Sequence, residues 1–239
     1  MSGKDPTLPA AVSPSEVENF LMQVAATPSP SSRQGGQGRG RLVFAMDATA
    51  SRQPSWDRAA RIQGAMFLES ARLGGLDVQL VYYRGLDECR ASKWVREAEE
   101  LLRLMRSVSC LGGYTQLGRV LRHVISETGR SPVHAAVFVG DCFEEDADAV
   151  CHSAGELGVL GVPVFVFQEG HDAVAGRVFP QVARLSGGAY CPFDANSPHQ
   201  LRDLLSAVAV YAAGGRKALL ALGKRQGGLA LQLTHQLGG

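Results

Sequence analysis

Three oxygen-bearing side chains follow a short apolar run near residue 45, at alternate positions. The run is LVFAM (42–46), and Asp47, Thr49 and Ser51 come directly after it. In an extended or open loop alternate side chains point the same way, whereas positions i and i+2 diverge on a helix. One carboxylate and two hydroxyls are hard oxygen donors of the kind that Mg²⁺ and Mn²⁺ prefer. The spacing therefore allows a cation site, although the same residue types also form turns and helix caps.

Two later loops carry further oxygen donors. The sequence LGGYT (111–115) precedes a predicted helix, and its glycines let the backbone turn sharply while Thr115 offers a hydroxyl. The apolar run AVFVG (136–140) is followed by Asp141. Functional groups of open α/β sheets gather at the carboxyl ends of the strands. We therefore expect Thr115 and Asp141 at the same edge of the sheet as Asp47.

The elements that must position these loops alternate between strand and helix. Strands that are apolar throughout and are separated by helices indicate a mainly parallel sheet covered on both faces. The segment ECRAS (88–92) is predicted to return antiparallel to VQLVYY (78–83), and Ser92 to cap a helix over 93–107. The predicted fold class is α/β, with a doubly wound, mainly parallel sheet and one antiparallel edge strand.

With these residues in this order, the chain resembles the von Willebrand factor type A (VWA) domain family, of bacterial intracellular type, and its metal-ion-dependent adhesion site (MIDAS). The family pattern is D-x-S-x-S after the first strand, a threonine in a glycine-containing second loop, and an aspartate after a later strand. The segment DATAS (47–51) matches with threonine for the first serine, Thr115 matches the second part, and Asp141 matches the third. The resemblance covers residues 41 to 212 and implies a Rossmann-like VWA fold.

The resemblance also implies a ligand set. Thr49, Ser51 and Thr115 would supply hydroxyl oxygens to Mg²⁺ or Mn²⁺. Asp47 and Asp141 would bind the ion directly or through water, and would orient the hydroxyls. A cation held by so few anions stays electrophilic, so it can accept a carboxylate from another molecule.

The third loop departs from the family pattern. The family often has glycine after the aspartate, whereas Cys142 follows here. An acidic run comes next, and favourable charge at a helix N-terminus is its simplest role. The alternative is that one of its carboxylates occupies the open metal position until a partner displaces it; the run comprises Glu144, Glu145, Asp146 and Asp148.

The predicted function is a non-enzymatic, divalent-cation-dependent protein-binding module for adhesion or assembly, which captures an acidic side chain of a partner protein. One alternative is a haloacid-dehalogenase-like phosphohydrolase, but Thr49 stands where that family has its second aspartate, the proton carrier. Another is a VWA fold that acts as a scaffold without metal. No P-loop and no dinucleotide-binding glycine pattern occurs in the sequence.

Bulk composition constrains partners and location. The 239 residues carry a formal net charge of +1, which provides no overall field for nucleic acid or an anionic membrane. The five cysteines include no C-x-x-C pair, and no basic start with an apolar run resembles a signal peptide. We therefore predict a cytoplasmic protein that binds neither nucleic acid nor membrane.

Three segments are predicted along the chain. Residues 1–40 form a flexible segment with one short amphipathic helix, because TPSPSSRQGGQGRG (27–40) has no aliphatic or aromatic side chain. That helix either packs on its own globule or serves as an arm for a partner. Residues 41–213 form the VWA-like domain, and 214–239 form a C-terminal tail.

Overall fold

Six strands form one mixed sheet in a computed structural model that describes residues 14–28, 39–193 and 198–226. The strand order is β3-β2-β1-β4-β5-β6, and only the β2–β3 pair is antiparallel. The strands are β1 (Gly40–Asp47), β2 (Leu76–Arg84), β3 (Glu88–Val95), β4 (Ala135–Gly140), β5 (Val164–Glu169) and β6 (Tyr190–Phe193). The predicted fold class, with its antiparallel edge strand, is thereby confirmed.

Eight α-helices cover both faces of this sheet within the described residues. They are α1 (Pro14–Ala26), α2 (Gln53–Ile62), α3 (Gly64–Ser70), α4 (Ala98–Arg106), α5 (Leu117–Arg130), α6 (Ala147–Val159), α7 (Ala175–Leu185) and α8 (Pro198–Gln226). Helices α1 to α4 and α8 contribute side chains to the core on one face, and α5, α6 and α7 contribute to the core on the other.

The central strand β1 explains this layered arrangement. Phe44 and Met46 belong to the core on one face, while Val43 and Ala45 belong to the core on the other. Alternate residues of a strand point to opposite faces, so an unbroken apolar run must be covered on both sides. Strand β1 lies between β2 and β4, and the connections reverse direction there, which makes the carboxyl ends of β1 and β4 the topological switch point of the sheet.

The prediction of a helix over 93–107 is wrong at its start. Strand β3 continues to Val95, and α4 begins at Ala98. Ser92 does not cap a helix, since its hydroxyl accepts the Leu80 N–H at 3.0 Å across the β2–β3 pair. Trp94 faces the sheet core, where its Nε1 donates to Glu127 at 2.9 Å. Pairing with β2 therefore outweighs the helical spacing of the local sequence.

The predicted segment boundaries at 40 and 213 remain predictions, because much of both ends lies outside the described residues. Helix α1 packs on the sheet, where the Phe20 ring lies 6.1 Å from that of Phe165 and 5.2 Å from that of Phe167. Helix α8 continues past 213, with a break at Gly215, whose φ is 68°. In the described part of the chain one helical stretch, His199–Leu222, is long and apolar enough for a membrane span; its most apolar 18-residue window has a mean hydropathy of 1.3, and 67% of that window is buried inside the protein. That burial is typical of a core helix.

Candidate metal centre

The first site loop begins where β1 ends. Asp47 is only 2% exposed, and its Oδ1 accepts the Thr49 N–H at 2.6 Å. This hydrogen bond fixes the turn that carries the chain out of the sheet. Thr49 keeps an extended backbone (φ −73°, ψ 162°), and a short 3₁₀ turn, Ala50–Arg52, follows. The loop therefore brings Ser51 beside Thr49, with 3.4 Å between their hydroxyl oxygens.

The five residues predicted as metal ligands line one cavity at the carboxyl edge of the sheet. The cavity measures about 150 Å³. Its other lining residues come from the same three loops and are Ala50, Gly112, Gly113, Cys142 and Glu144. The topology produces this convergence, because Asp47 ends β1 and Asp141 follows the neighbouring strand β4. Their assignment as metal ligands stays a prediction.

The hydroxyl protons of this cavity already have acceptors inside the protein. Thr115 Oγ1 donates to the Cys142 carbonyl at 2.8 Å, and Ser51 Oγ donates to Asp141 Oδ2 at 3.3 Å. Because the Ser51 proton goes to Asp141, Thr49 is the donor in its contact with Ser51. A hydroxyl that has donated its proton keeps its oxygen lone pairs. Three hydroxyls and two carboxylates thus fit a small, hard cation.

Burial opposes the charge that the cavity carries. The pKa of Asp47 is raised to about 6, chiefly by desolvation and to a smaller extent by the nearby Asp141, while hydrogen bonds from Thr49 and the charge of Arg52 act in the opposite direction. A bound cation would favour the ionised form of this carboxyl. Ionisation of Asp47 is therefore unfavourable in this cavity unless a positive charge is bound there.

The second site loop is held against both the first site loop and the β2–β3 turn. The Leu111 N–H donates to the Ala48 carbonyl at 3.0 Å, and the Tyr114 N–H donates to the Gly85 carbonyl at 3.2 Å. At Gly113 the backbones are so close that a Cβ would lie 2.1 Å from the Gly85 oxygen. Glycine is required there by this approach, which places Thr115 at the cavity.

The acidic run of the third loop divides into separate roles. Glu145 accepts the Gly118 N–H at the start of α5, and Asp146 accepts the Ala149 N–H at the start of α6. Glu144 is the member of the run that lines the cavity, and its Oε2 accepts the Thr115 N–H at 3.0 Å. Helix capping explains two of these residues, as expected from their charge, whereas Glu144 belongs to the site.

A buried ion pair next to the site escaped the sequence analysis. Arg52 is buried and pairs with Glu169 at the end of β5, and the Ser55 hydroxyl donates to the same carboxylate. The pair connects the start of α2, directly after Ser51, to the far part of the sheet. Glu169 is the last residue of a buried strand, as Asp47 is, so the end of the apolar run VFVF was a sequence signal that could have placed Glu169 at the same edge of the sheet.

The donor set differs from that of a histidine or cysteine metal site. Among the described residues no three His, Cys, Asp or Glu side chains are grouped so as to hold a metal ion. Any cation in the cavity would therefore depend on the three hydroxyls as well as on Asp47 and Asp141. That composition distinguishes the cavity from the Cys/His sites typical of structural zinc.

Comparison with known proteins supports the fold. No protein-family model matches the sequence, and a search of curated proteins gives no match. Among solved structures, the von Willebrand factor type A protein from Catenulispora acidiphila is similar, with a TM-score of 0.58 and 14% identity over 72% of this chain and 43% of that chain. The SpRpn10 VWA domain gives a TM-score of 0.56 and 12% identity over 70% of this chain and 94% of that chain.

A third similar structure was solved with metal. Proximal thread matrix protein 1 from the mussel byssus, with a zinc-occupied MIDAS motif, gives a TM-score of 0.52 and 13% identity over 72% of this chain and 46% of that chain. This chain thus spans less than half the length of the bacterial and mussel proteins. At these identities the likeness shows the fold alone, which is that of a VWA domain.

Proposed function

We propose that this chain is a non-enzymatic protein-binding module that uses a divalent cation to capture an acidic side chain of a partner protein. The cavity lined by Asp47, Thr49, Ser51, Thr115 and Asp141 carries the proposal. Bound Mg²⁺ or Mn²⁺ would supply an electrophilic position for the partner's carboxylate. We also propose a cytoplasmic location, in keeping with the free thiols of Cys89, Cys110, Cys142 and Cys151.

The residues of the cavity suit binding better than catalysis. The three hydroxyls present lone pairs, and Asp47 and Asp141 supply the only negative charge among the five proposed ligands. Five side chains leave at least one position of a roughly octahedral ion for a guest. Thr49 cannot act as the proton carrier that a phosphohydrolase of the haloacid dehalogenase type needs. A carboxylate guest can therefore occupy the open position of the ion without a reaction.

Cation binding is tested with Mn²⁺ and the purified chain. Unbound Mn²⁺ is measured by electron paramagnetic resonance during a titration of wild type, Thr115→Ala and Asp141→Ala. We expect both variants to lose Mn²⁺ binding. Asp141→Ala should change the melting temperature little, because Asp141 is only half-buried, whereas Thr115→Ala should lower it modestly, because it removes a buried hydrogen bond to the Cys142 carbonyl. Asp148→Asn is the matched control, since Asp148 is exposed on α6 outside the cavity and should bind as wild type does.

Guest binding is tested with acetyl-glutamate amide as the acidic probe. A carboxylate that enters the ion's open position displaces water, so the water proton relaxivity of the Mn²⁺-loaded protein should fall; acetyl-glutamine amide should leave it unchanged. Mn²⁺ binding without this fall would contradict acid capture. Magnesium-dependent hydrolysis of p-nitrophenyl phosphate, abolished by Asp47→Asn, would favour the phosphohydrolase, and absence of Mn²⁺ binding would favour a metal-free scaffold.

A further inference from the structure

Three large apolar side chains are exposed on the two loops that meet beside the candidate metal site. Leu86 is 75% exposed, Leu111 47% and Tyr114 59%. We call these three residues the apolar rim. Single apolar residues on a surface are common and need no explanation, but a group beside a binding site marks an interaction surface. Whether these residues form an interaction surface therefore depends on how close they lie to the cavity.

The rim lies on loops that reach the cavity or contact a loop that does. Leu111 and Tyr114 stand on either side of Gly112 and Gly113, and both glycines line the cavity. Leu86 follows Gly85, whose carbonyl accepts the Tyr114 N–H at 3.2 Å. The two loops thus touch through their backbones. Leu111 and Tyr114 are next in sequence to glycines that line the cavity, and Leu86 is next to Gly85, which joins the two loops.

The loops of the rim are held by several hydrogen bonds. Leu111 is bonded through its N–H to Ala48 of the first site loop, and Arg84 Nη1 donates to the Ser109 carbonyl at 2.7 Å. Gln116 Nε2 adds a contact of 3.4 Å to the Gly85 carbonyl. A surface fixed before binding loses little conformational entropy when a partner arrives. The exposure of the rim is therefore a property of an ordered surface.

The charges around the rim are already paired. Arg84 forms an ion pair with Glu88, and Arg119 forms one with Asp87. Both arginines are therefore already occupied, and neither is free to bind a second acidic group of a partner. Attraction for a carboxylate would come from the cation, and the surface beside it favours an apolar neighbour.

Other large exposed apolar side chains lie away from these two loops. Val174 is on the same edge but in the loop after β5, and Leu68 is on α3. Helices that follow parallel strands run back across the sheet, so the ends of α6 and α7 lie at the opposite edge. Three residues mark those two helix ends, and they are Val159, Leu160 and Leu185. They provide controls at a distance from the cavity.

We infer that the partner presents its carboxylate beside an aliphatic or aromatic side chain, and that this side chain binds the apolar rim of Leu86, Leu111 and Tyr114. The inference rests on the proposed function, since the cation would hold the carboxylate. The cation would contribute affinity for any carboxylate, whereas the rim would select among partners by the side chains next to that carboxylate. The partner recognised is therefore a protein segment with an acidic residue flanked by apolar residues.

Three capped peptides test this selection with the Mn²⁺-loaded, full-length chain. They are acetyl-Leu-Glu-Leu-amide, acetyl-Gly-Glu-Gly-amide and acetyl-Leu-Gln-Leu-amide. Burial of part of one leucine side chain is worth about 1.5 kcal/mol, which is about tenfold in affinity. We expect Leu-Glu-Leu to bind about tenfold more tightly than Gly-Glu-Gly, and Leu-Gln-Leu to bind weakly with or without EDTA.

Variants then separate the rim from the cation site. The triple variant Leu86→Ser, Leu111→Ser, Tyr114→Ser should lose the tenfold preference and keep the Mn²⁺ affinity and the Gly-Glu-Gly affinity of wild type. Val159→Ser should keep the preference, because Val159 is exposed at the other edge. Melting curves by circular dichroism verify that each variant is folded, and single substitutions replace the triple variant if it is not.

The outcomes distinguish this inference from the proposed function. Equal binding of the two glutamate peptides in the presence of Mn²⁺ would overturn the inference and leave the proposed function standing. Binding of Leu-Gln-Leu in EDTA as tight as that of Leu-Glu-Leu with Mn²⁺ would also overturn it, since the rim would then act without the cation. Failure to bind Mn²⁺ at all would refute the proposed function itself.

Discussion

At the scale of single residues, Asp47 is suited to the proposed cation site but lowers the stability of the cation-free protein. Its carboxyl is almost fully buried, and its neighbour Asp141 carries the same charge. Burial raises the pKa of Asp47 from an ordinary value of 3.8 to about 6. The folded chain therefore holds a proton there more tightly than the unfolded chain does, and ionisation of Asp47 destabilises the fold when no cation is present.

Substitution of Asp47 by asparagine should accordingly stabilise the cation-free protein at neutral pH. Wild type loses stability as pH rises from 3.8 through about 6, and the loss is complete above that value. Each pKa unit is worth about 1.4 kcal/mol, so Asp47→Asn should gain up to about 3 kcal/mol at pH 8 and nothing at pH 3.5. Urea unfolding in EDTA across this pH range measures the gain.

A cation reverses the sign of this effect. In excess Mn²⁺ the ionised Asp47 should contribute binding free energy, so wild type should gain stability and Asp47→Asn should not. A difference in stability between the two proteins that stays constant from pH 3.5 to 8 in EDTA would contradict the role given to Asp47 burial.

Glu144 affects the balance of charge at the same cavity. Its Oε2 accepts the Thr115 N–H, and glutamine can accept the same hydrogen bond with its amide oxygen. Glu144→Gln should therefore keep the loop and remove one negative charge. We expect severalfold weaker Mn²⁺ binding and severalfold tighter binding of an acidic peptide to the loaded site, because repulsion between like charges is removed.

The matched control for Glu144 is Asp148→Asn, which removes a negative charge outside the cavity. Mn²⁺ titration followed by peptide titration separates the two effects of Glu144→Gln. Unchanged affinities for both ligands would show that Glu144 does not act on the site. Weaker binding of both would mean that Glu144 supports the cation without competing with the guest.

At the scale of elements, two adjacent glycines make different contributions to the second site loop. A Cβ at Gly113 would lie 2.1 Å from the Gly85 oxygen, whereas nothing lies within 4 Å of a Cβ at Gly112. Gly113→Ala should therefore separate this loop from the β2–β3 turn, lower stability by about 2 kcal/mol and weaken Mn²⁺ binding at least tenfold. Gly112→Ala should change stability by less than about 0.5 kcal/mol.

Thermal melts and Mn²⁺ titrations of these two variants compare one added methyl group at neighbouring positions. Similar behaviour of both would mean that close contact between the loop and the turn is unimportant for the cavity. Such a result would also weaken the inference about the apolar rim, since the same contact joins Leu86 to Leu111 and Tyr114.

The sequence predicts the strand-end donors well because their signal is local. A buried apolar run followed by a polar side chain identifies the carboxyl end of a strand, as for Asp47 and Asp141. The boundary of β3 was missed because Trp94 and Val95 also fit a helical stripe, and only the partner strand β2 decides between them. The Arg52–Glu169 pair was missed because the two residues are 117 positions apart in the sequence, and only the folded sheet brings them together.

At the scale of the whole molecule, the N-terminal helix is attached through the core of one sheet face. Phe20 is fully buried, and Val24 is buried beside it. The Tyr211 hydroxyl of α8 donates to the carbonyl of Pro28, just after α1. A partner-binding arm would have to give up these contacts, so the packing of α1 distinguishes a structural helix from an arm.

Substitution of Phe20 by alanine should therefore destabilise the whole domain by about 3 kcal/mol, the cost of a large cavity in a core. Asn19→Ala is the matched control, because Asn19 is exposed on the same helix and its substitution should change stability by less than about 0.5 kcal/mol.

Urea unfolding followed by tryptophan fluorescence measures both, since Trp56 and Trp94 lie in the globule. One transition with a lower midpoint is expected for Phe20→Ala, together with unchanged Mn²⁺ affinity, because α1 packs on β5, β6 and α8, and none of the five proposed ligands lies on these elements. A Phe20→Ala protein as stable as Asn19→Ala would show that α1 contributes nothing to the fold and is available as an arm.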